Sequence, residues 1–190
     1  MTVRLRPIRR EDLPSFCAWR EAARPYLRTP FVLNLEQQTR WFEDVVCDRR
    51  ATDRFWAIEA STPKTFISTS VANPSLSASW QGEMDGALVG IGGLTEIQFE
   101  NGLAEITLIL DPTQKGKGYG EQAFDLVLDE AFNAMRLETV IAEVYVHNGA
   151  LGFWRRMAEK RGATVAVLPR RKFWNGRLYD AEYFSFARSA

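Results

Sequence analysis

One stretch near the middle of the chain, residues 102–120, constrains the fold most. Its first half is a mainly apolar run, rich in Ile, Leu and Thr and ended by an Asp-Pro pair, which is typical of a β-strand. Three glycines then alternate with other residues between Gly116 and Gly120. Residues 121–132 repeat apolar side chains at helical spacing. The sequence therefore predicts a strand, a glycine-rich turn and a helix in direct succession.

This succession predicts a site for a phosphate-bearing ligand. The turn leaves backbone N–H groups unpaired at a helix N-terminus, where the helix dipole also favours negative charge. Glycines keep side chains away from a ligand, and Lys115 and Lys117 add positive charge. A turn without a ligand is the alternative that the glycines alone leave open.

Two common phosphate-binding motifs fit this loop poorly. A P-loop requires Ser or Thr after its lysine, and neither follows Lys115 or Lys117. A dinucleotide-binding fingerprint requires Gly-x-Gly-x-x-Gly, whereas Gly116, Gly118 and Gly120 are separated by single residues. Both a magnesium nucleotide and a dinucleotide are therefore disfavoured as the ligand.

The run Lys115-Gly116-Lys117-Gly118-Tyr119-Gly120 resembles the Arg/Gln-x-x-Gly-x-Gly/Ala cofactor motif of the GNAT superfamily of acyl-CoA-dependent N-acetyltransferases. It departs from that motif at the first position, where lysine supplies charge without a bidentate grip. The resemblance extends from about Val3 to the last strand and is closest to the branch that includes ribosomal-protein N-terminal acetyltransferases. It implies acetyl-CoA (coenzyme A) as co-substrate, bound by Lys115, Gly116, Lys117, Gly118, Tyr119 and Gly120.

The same resemblance implies the fold, a mixed α/β domain. A twisted, mostly antiparallel sheet would contain one splayed parallel strand pair, residues 102–110 and 139–146, with helices on both faces. Pantetheine would lie in the gap between these two strands and bond to the main chain of Leu108 and Leu110. Asn148 matches an asparagine that many members place near pantetheine, and capping the next helix is its alternative and compatible role.

The 190 residues are predicted to form a single domain with one insertion. Strands are expected at residues 54–60 and 87–94, which most GNAT proteins join by a tight turn. Here a segment rich in Ser, Thr, Asn and Pro intervenes at about residues 61–86, and residues 65–71 within it are a further candidate strand.

Further helices and strands complete the expected domain. Asn34 is expected to cap a helix that ends near Arg49. A last helix at residues 151–162 precedes a predicted antiparallel strand pair. Residues 169–177, between those two strands, form the one concentrated basic patch. It is interpreted as a solvated loop, with the alternative that it borders the acceptor cleft and favours an acceptor carrying a carboxylate or phosphate.

Composition limits the classes of binding partner and the cellular compartment that the protein is expected to have. Lys plus Arg and Asp plus Glu both number 24, so no net charge recruits nucleic acid or an anionic membrane. Cys17 and Cys47 are interpreted as reduced core thiols, although their spacing leaves a disulfide open. His147, the single histidine, has no suggested catalytic or metal-ligand set, so no metal is expected. We therefore expect a cytoplasmic protein that binds neither nucleic acid nor membrane, with a homodimer as one option for its oligomeric state.

Glu105 is the candidate general base, because it is a charged residue in an otherwise apolar strand and burial would raise its pKa. It also matches the glutamate that some GNAT members use in an Ala-Glu-Ile context. A structural carboxylate is the alternative, and Glu96 is the reserve candidate. Many members carry a tyrosine in the last helix that protonates the departing thiolate, but Phe153 and Trp154 stand there in this chain. Water or Tyr145 is expected to serve instead, or no acid at all.

The predicted activity is therefore transfer of an acetyl group from acetyl-CoA to a primary amine by direct attack. The acceptor, whether a small molecule or a peptide, stays open at this stage. The alternative from another class is a non-catalytic domain of the same fold that binds acyl-CoA as a sensor or scaffold.

Overall fold

The computed structural model describes residues 2–61 and 86–188, which build one open seven-stranded sheet in the order β1-β2-β3-β4-β5-β7-β6. Neighbouring strands are antiparallel except β4 and β5, which are parallel. The strands are β1 (Thr2–Arg6), β2 (Arg54–Ser61), β3 (Ala87–Gln98), β4 (Leu103–Leu110), β5 (Thr139–Tyr145), β6 (Thr164–Trp174) and β7 (Arg177–Ala187).

Helices cover both faces of this sheet, as the sequence predicts. They are α1 (Leu13–Ala23), α2 (Leu35–Trp41), α3 (Tyr119–Asp129) and α4 (Leu151–Arg161). On one face, Phe16 and Trp19 of α1 pack with Ile91 and Ile109 of the central strands, and Trp41 at the end of α2 joins them. The other face carries α3 and α4, so the observed architecture confirms the mixed α/β prediction.

The core under α3 and α4 is centred on aromatic side chains. Phe124 of α3 is fully buried and meets the rings of Phe153, Trp154 and Phe186 at steep angles, with centroids 5.0–6.3 Å apart. Such edge-to-face packing adds to the free energy of simple apolar burial. Phe153 and Trp154, which replace the expected tyrosine, are thus part of this core.

The parallel pairing of β4 with β5 ends early. Only three residue pairs are in register, from Leu103 with Thr139 to Glu105 with Ile141. Both strands continue for several residues beyond that point without pairing to each other, so they splay apart toward their C-terminal ends. This confirms the predicted splayed pair.

Three local predictions need correction or completion. The second helix ends in a π-helical turn at Val46 rather than near Arg49, although Asn34 caps its start by accepting a hydrogen bond from the backbone N–H of Gln37. Both cysteines are free, but Cys47 is exposed and is not a core thiol. The candidate strand at residues 65–71 and nearly all of the insertion lie outside the described residues, and the single-domain assignment stays a prediction.

The basic patch at residues 169–177 is not a loop. β6 continues through it to Trp174, and the chain reverses at Asn175 and Gly176, both with positive φ (47° and 75°), before β7 begins. Positive φ at two successive turn residues gives the twist that a tight hairpin requires, and Asn-Gly is the favoured pair there. The interpretation as a solvated loop is therefore wrong.

An ionic network fixes β1 to the rest of the sheet. The carboxylate of Glu59 on β2 accepts hydrogen bonds from Arg4 and Arg6 of the neighbouring strand. Arg6 also makes two 2.8 Å bonds to Asp12, just before α1. Glu59 and Asp12 are both buried. Burial raises the pKa of Glu59, but Arg4 and Arg6 outweigh burial and lower it below its ordinary value.

Glu59→Gln should therefore lower the free energy of unfolding at pH 7 by about 2 kcal/mol, the scale of hydrogen bonds to charged groups. A lowered pKa in the folded state stabilises the fold above the unfolded pKa of about 4.3, and this contribution is lost as pH falls through the folded value. The difference between variant and wild type should shrink in that acid range in urea titrations. Glu43→Gln, in an exposed pair with Arg10, is the matched control and should change stability by less than about 0.5 kcal/mol. Equal effects of the two substitutions would contradict the prediction.

Candidate active site

The main chain of β4 presents unpaired polar groups to the gap beside β5. The backbone N–H of Asp111 donates to the carbonyl of Val89 on β3, at 2.9 Å. Because alternate residues of a strand direct their N–H and C=O groups to opposite edges, Leu108 and Leu110 direct theirs away from β3 and toward β5. No described strand pairs with β4 on that side beyond Glu105. These are the two residues that the sequence predicts to contact pantetheine.

The glycine loop follows β4 and leads into α3. Gly116 and Gly118 have φ of 79° and 76°, and Gly118 is the N-cap of α3. A Cβ at either position would meet nothing within 4 Å, so the loop is open on its outer side. At Gly120 a Cβ would instead lie 3.3 Å from a methyl carbon of Leu110. Backbone conformation therefore requires the first two glycines, and close packing requires the third.

The polar and aromatic members of the predicted cofactor set lie in different surroundings. Lys115 and Lys117 are exposed beside the glycine loop, and the Lys117 ammonium donates to Gln114 at 2.7 Å. The side chain of Tyr119 is buried in the core, so only its backbone could meet a ligand at the α3 N-terminus. The side-chain oxygen of Asn148 accepts from the N–H of Ala150 at 2.8 Å, but Ala150 is the N-cap of α4 and that helix has no side-chain cap, so the predicted capping role of Asn148 is wrong.

Glu105 lies in a cluster of carboxylates around one guanidinium, that of Arg28. Both oxygens of Glu105 accept from Arg28, at 2.6 and 2.7 Å, and Glu96 of β3 accepts at 2.7 Å. Glu143 of β5 lies 3.7 Å from the same guanidinium. Arg28 belongs to the segment between α1 and α2. We call the three glutamates with Arg28 the carboxylate cluster.

Strand alternation places this cluster beside the gap, on the face covered by α1 and α2. Glu105 shares its face of β4 with Ile109, which packs under α1. Glu143 and Tyr145 alternate with Ala142, which packs on the opposite face. Glu96 sits at a register shift of β3 with a positive φ of 51°, and such a bulge redirects a side chain.

Burial perturbs the ionisation of several groups in this cleft. It raises the pKa of Glu105, and the opposing effect of Arg28 is smaller. Burial, and then the charge of Glu143, raise the pKa of Tyr145, so its phenol keeps its proton at neutral pH. Burial lowers the pKa of the Lys172 ammonium. A carboxylate with a raised pKa and a protonated phenol are the two groups that acid–base catalysis would need.

The segment that carries Arg28 is fixed by contacts to the β6–β7 hairpin and to the turn after β5. The buried ammonium of Lys172 donates to the carbonyls of Leu27 and Arg28, at 2.6 and 3.4 Å. His147 donates a ring N–H to the carbonyl of Pro25 at 3.0 Å and packs on the ring of Tyr179. The histidine thus has the structural role that the sequence suggests.

The basic patch borders the cleft through Arg171 and Lys172, and both of these side chains are already engaged. Arg171 bonds both oxygens of Glu143, at 3.0 and 3.3 Å, and Lys172 is turned inward. An acceptor with a carboxylate or phosphate therefore gains no unpaired cation from these two residues. The preference for an anionic acceptor would then depend on Arg170 and Arg177, and it stays a prediction.

The described residues contain no group of three or more His, Cys, Asp or Glu side chains placed to hold a metal ion. Within the same residues, no helix is long and apolar enough to cross a membrane.

Comparison with known proteins identifies the family. Residues 2–164 match the family model described as an acetyltransferase (GNAT) domain. The chain belongs to the GNAT acetyltransferase family. It is an acyl-CoA-dependent N-acetyltransferase, with acetyl-CoA as the co-substrate, as the sequence predicts. No protein with a curated description matches the chain in a sequence search.

Solved structures share the fold over nearly the whole chain. Spermidine N-acetyltransferase from Vibrio cholerae in complex with CoA and spermine is 19% identical, with a TM-score of 0.76 over 98% of this GNAT chain and 95% of that one. An N-acetyltransferase from Staphylococcus aureus Mu50 is 15% identical, with a TM-score of 0.71 over 98% and 99%. At such low identity these likenesses show a common fold.

Sequence reasoning found Glu105 and the reserve Glu96 but missed the groups around them. Glu143 carried a signal, because it is a second acid in an apolar strand parallel to that of Glu105. Lys172 lay within the patch that the sequence singles out. Arg28 carried no local signal, since its partners are distant in sequence.

Gly118→Glu should weaken coenzyme A binding about tenfold or more, because it adds a negative charge beside the proposed pyrophosphate position. Gly118→Gln imposes nearly the same size and the same backbone strain without the charge, so the difference between the two variants isolates the electrostatic effect. Calorimetric titration with coenzyme A would measure both affinities. Equal affinities for the glutamate and glutamine variants would show that no phosphate lies near this residue.

Proposed function

We propose that this GNAT protein transfers the acetyl group of acetyl-CoA to a primary amine of a small polycation of the polyamine class. The observation that carries the proposal is the carboxylate cluster beside the β4–β5 gap. Three glutamates converge there on one guanidinium, and a positively charged amine could bind the same oxygens. The fold neighbour described in complex with CoA and spermine supports this choice of acceptor.

The co-substrate would bind along β4 and the glycine loop. Unpaired backbone groups of Leu108 and Leu110 can bond the amides of pantetheine as a neighbouring strand would. The N–H groups of Gly116, Gly118 and the first turn of α3 can surround the pyrophosphate, with Lys115 and Lys117 adding charge. Asn148, on the turn after β5, would contact pantetheine through its amide nitrogen while its oxygen holds Ala150. These roles are proposals for residues whose positions fit them.

The acceptor amine must lose a proton before it attacks the thioester carbonyl. A primary amine is mostly protonated at neutral pH, since its reference pKa is about 10.4. Glu105 is the proposed general base, because it is the carboxylate of the cluster nearest the start of the gap and burial raises its pKa. Tyr145, buried on β5 beside the gap, is the proposed donor of the proton that the departing thiolate takes up.

A homodimer would use the exposed edge of the sheet. β6 is the outermost strand at that end, and its Val165 and Val167 side chains are 48% and 63% exposed. An unpaired strand edge with apolar side chains is a template for pairing with another chain. Light scattering should then give twice the 21.6 kDa mass of the chain.

Reduced cysteines and the balanced charge support a cytoplasmic protein without nucleic-acid or membrane partners.

An acceptor screen tests the proposed function. Release of free coenzyme A from acetyl-CoA would be measured with spermidine, spermine, a monoamine, a peptide with a free N-terminus of the ribosomal-protein type, and an aminoglycoside. Mass detection would identify the product. Polyamines should give the highest kcat/KM, because only they place several ammonium groups near the carboxylates. A preference for the peptide would support the ribosomal-protein branch, and binding without turnover would support the sensor alternative.

The pH dependence of turnover should identify the base. A base acts when ionised, so the raised pKa of Glu105 should place the acid limb of the kcat profile above the ordinary range of glutamate, with rate rising as pH rises. Glu105→Gln should remove that limb and reduce turnover by roughly a hundredfold while acetyl-CoA affinity stays nearly unchanged. Tyr145→Phe should slow turnover and leave the acid limb in place. Turnover by the glutamine variant within a few-fold of wild type would make Glu105 structural.

A further inference from the structure

The guanidinium of Arg28 lies where the proposed function requires the ammonium of the acceptor. It makes three hydrogen bonds of 2.6–2.7 Å to Glu96 and Glu105, and these use both oxygens of Glu105. A carboxylate keeps free lone pairs beside a bonded guanidinium, but the positive charge of that guanidinium weakens its attraction for a second cation and its affinity for a proton. The acceptor and Arg28 therefore compete for the same oxygens.

The charge of the cluster depends on where this guanidinium lies. The three ionised glutamates carry −3, while Arg28 and Arg171 contribute +1 each, so the net charge is −1. Withdrawal of Arg28 leaves −2. Glu105 and Glu143 are largely buried, with side chains 16% and 8% exposed, so water compensates this charge poorly.

Arg28 can leave without rearrangement of the fold. Its side chain is 48% exposed, which gives the guanidinium a path to solvent. Its backbone is held separately, because Lys172 bonds the carbonyls of Leu27 and Arg28 and no glutamate takes part in those bonds. Rotation about side-chain bonds is therefore sufficient to uncover the carboxylates.

We propose that Arg28 is an internal competitor that occupies the acceptor site and raises the intrinsic affinity that an acceptor needs in order to bind. An acceptor with one ammonium group replaces the single positive charge of Arg28 with its own, so the electrostatic free energy of the cluster changes little. An acceptor with two ammonium groups satisfies the −2 that Arg28 leaves behind, so it alone compensates the exchange. Arg28 thus sets the affinity threshold for the acceptor, and the stronger attraction of a dication to the uncovered carboxylates is what exceeds that threshold. This inference rests on the proposed function, since it takes the carboxylate cluster as the acceptor site.

The test measures equilibrium binding of spermidine, a diamine and a matched monoamine, without acetyl-CoA, by calorimetry at pH 8. Arg28→Gln should bind spermidine and the diamine about tenfold more tightly than wild type, because a competitor that occupies about nine sites in ten reduces apparent affinity by that factor. Monoamine affinity should improve by the same factor, because displacement of Arg28 costs every acceptor the same free energy, and the dications should stay the tighter ligands in both proteins. Arg28→Lys keeps a cation on the same segment and should stay closer to wild type.

Arg24→Gln is the matched control, because Arg24 lies in the same segment but pairs with Glu21 and stacks on Trp174. It should bind all three amines as wild type does. Unchanged or weaker diamine binding by Arg28→Gln, or equal tightening in the Arg24 variant, would overturn the competitor role.

A second measurement uses the wild-type protein and does not depend on the folding of a variant. Phenylglyoxal modifies unpaired guanidinium groups, and peptide mass mapping would follow its rate at Arg28. Saturating spermidine should increase that rate several-fold, because the ligand displaces Arg28 into solvent. A rate that stays constant or falls would contradict displacement.

The two proposals fail in distinguishable ways. Acetylation of polyamines together with no tightening in Arg28→Gln would leave the proposed function standing and remove the competitor. Absence of both polyamine turnover and polyamine binding in every variant would overturn the proposed function and the competitor with it.

Discussion

The separation of β4 from β5 after three residue pairs determines what the rest of this GNAT fold can do. Main-chain groups of Leu108 and Leu110 that a continued sheet would pair are left facing the gap, and unpaired backbone groups cost free energy when buried. An extended ligand with its own amides can replace the missing strand. On β3, Gly90 and Gly92 have no side chain where the leucine side chains of β4 lie, since a Cβ there would approach them within 2.5 and 3.1 Å. The leucines thus pack over β3, and their amides stay accessible.

The same separation brings charge into a partly buried cleft. Glu105 ends the paired region of β4, Glu143 lies on β5 just where the gap opens, and both carboxylates lie within 4 Å of the Arg28 guanidinium. Burial of like charges is unfavourable, and Arg28 with Arg171 offsets it in the free protein. An acceptor that displaces Arg28 would supply the replacing charge and also bring its own proton to Glu105. Acceptor binding and activation of the base are then one event.

Features encoded over a short stretch could be predicted from the sequence, and contacts between distant segments could not. The strand, glycine loop and α3 follow one another within 28 residues, and Asn34 caps α2 through a residue three positions later, so local chemistry was sufficient. The hairpin at residues 169–177 was misread because its basic residues suggested solvent, whereas Arg171 pairs with Glu143 on β5 and Lys172 turns inward. Arg28 lies 77 positions from Glu105, and neither neighbourhood hints at the other.

The contacts of Lys172 determine how the competitor Arg28 could leave the acceptor site. Burial lowers the pKa of this ammonium, because desolvation of a cation is unfavourable. The ammonium bonds the backbone carbonyls of Leu27 and Arg28 and so holds that short segment in place. A segment held in this way is poorly suited to act as a hinged lid. Its side chain keeps the freedom that its backbone lacks, because nearly half of the Arg28 side chain already contacts solvent. The proposed competitor would therefore leave the acceptor site by rotation of one side chain, on the timescale of rotamer changes, and the acceptor cleft would be preformed.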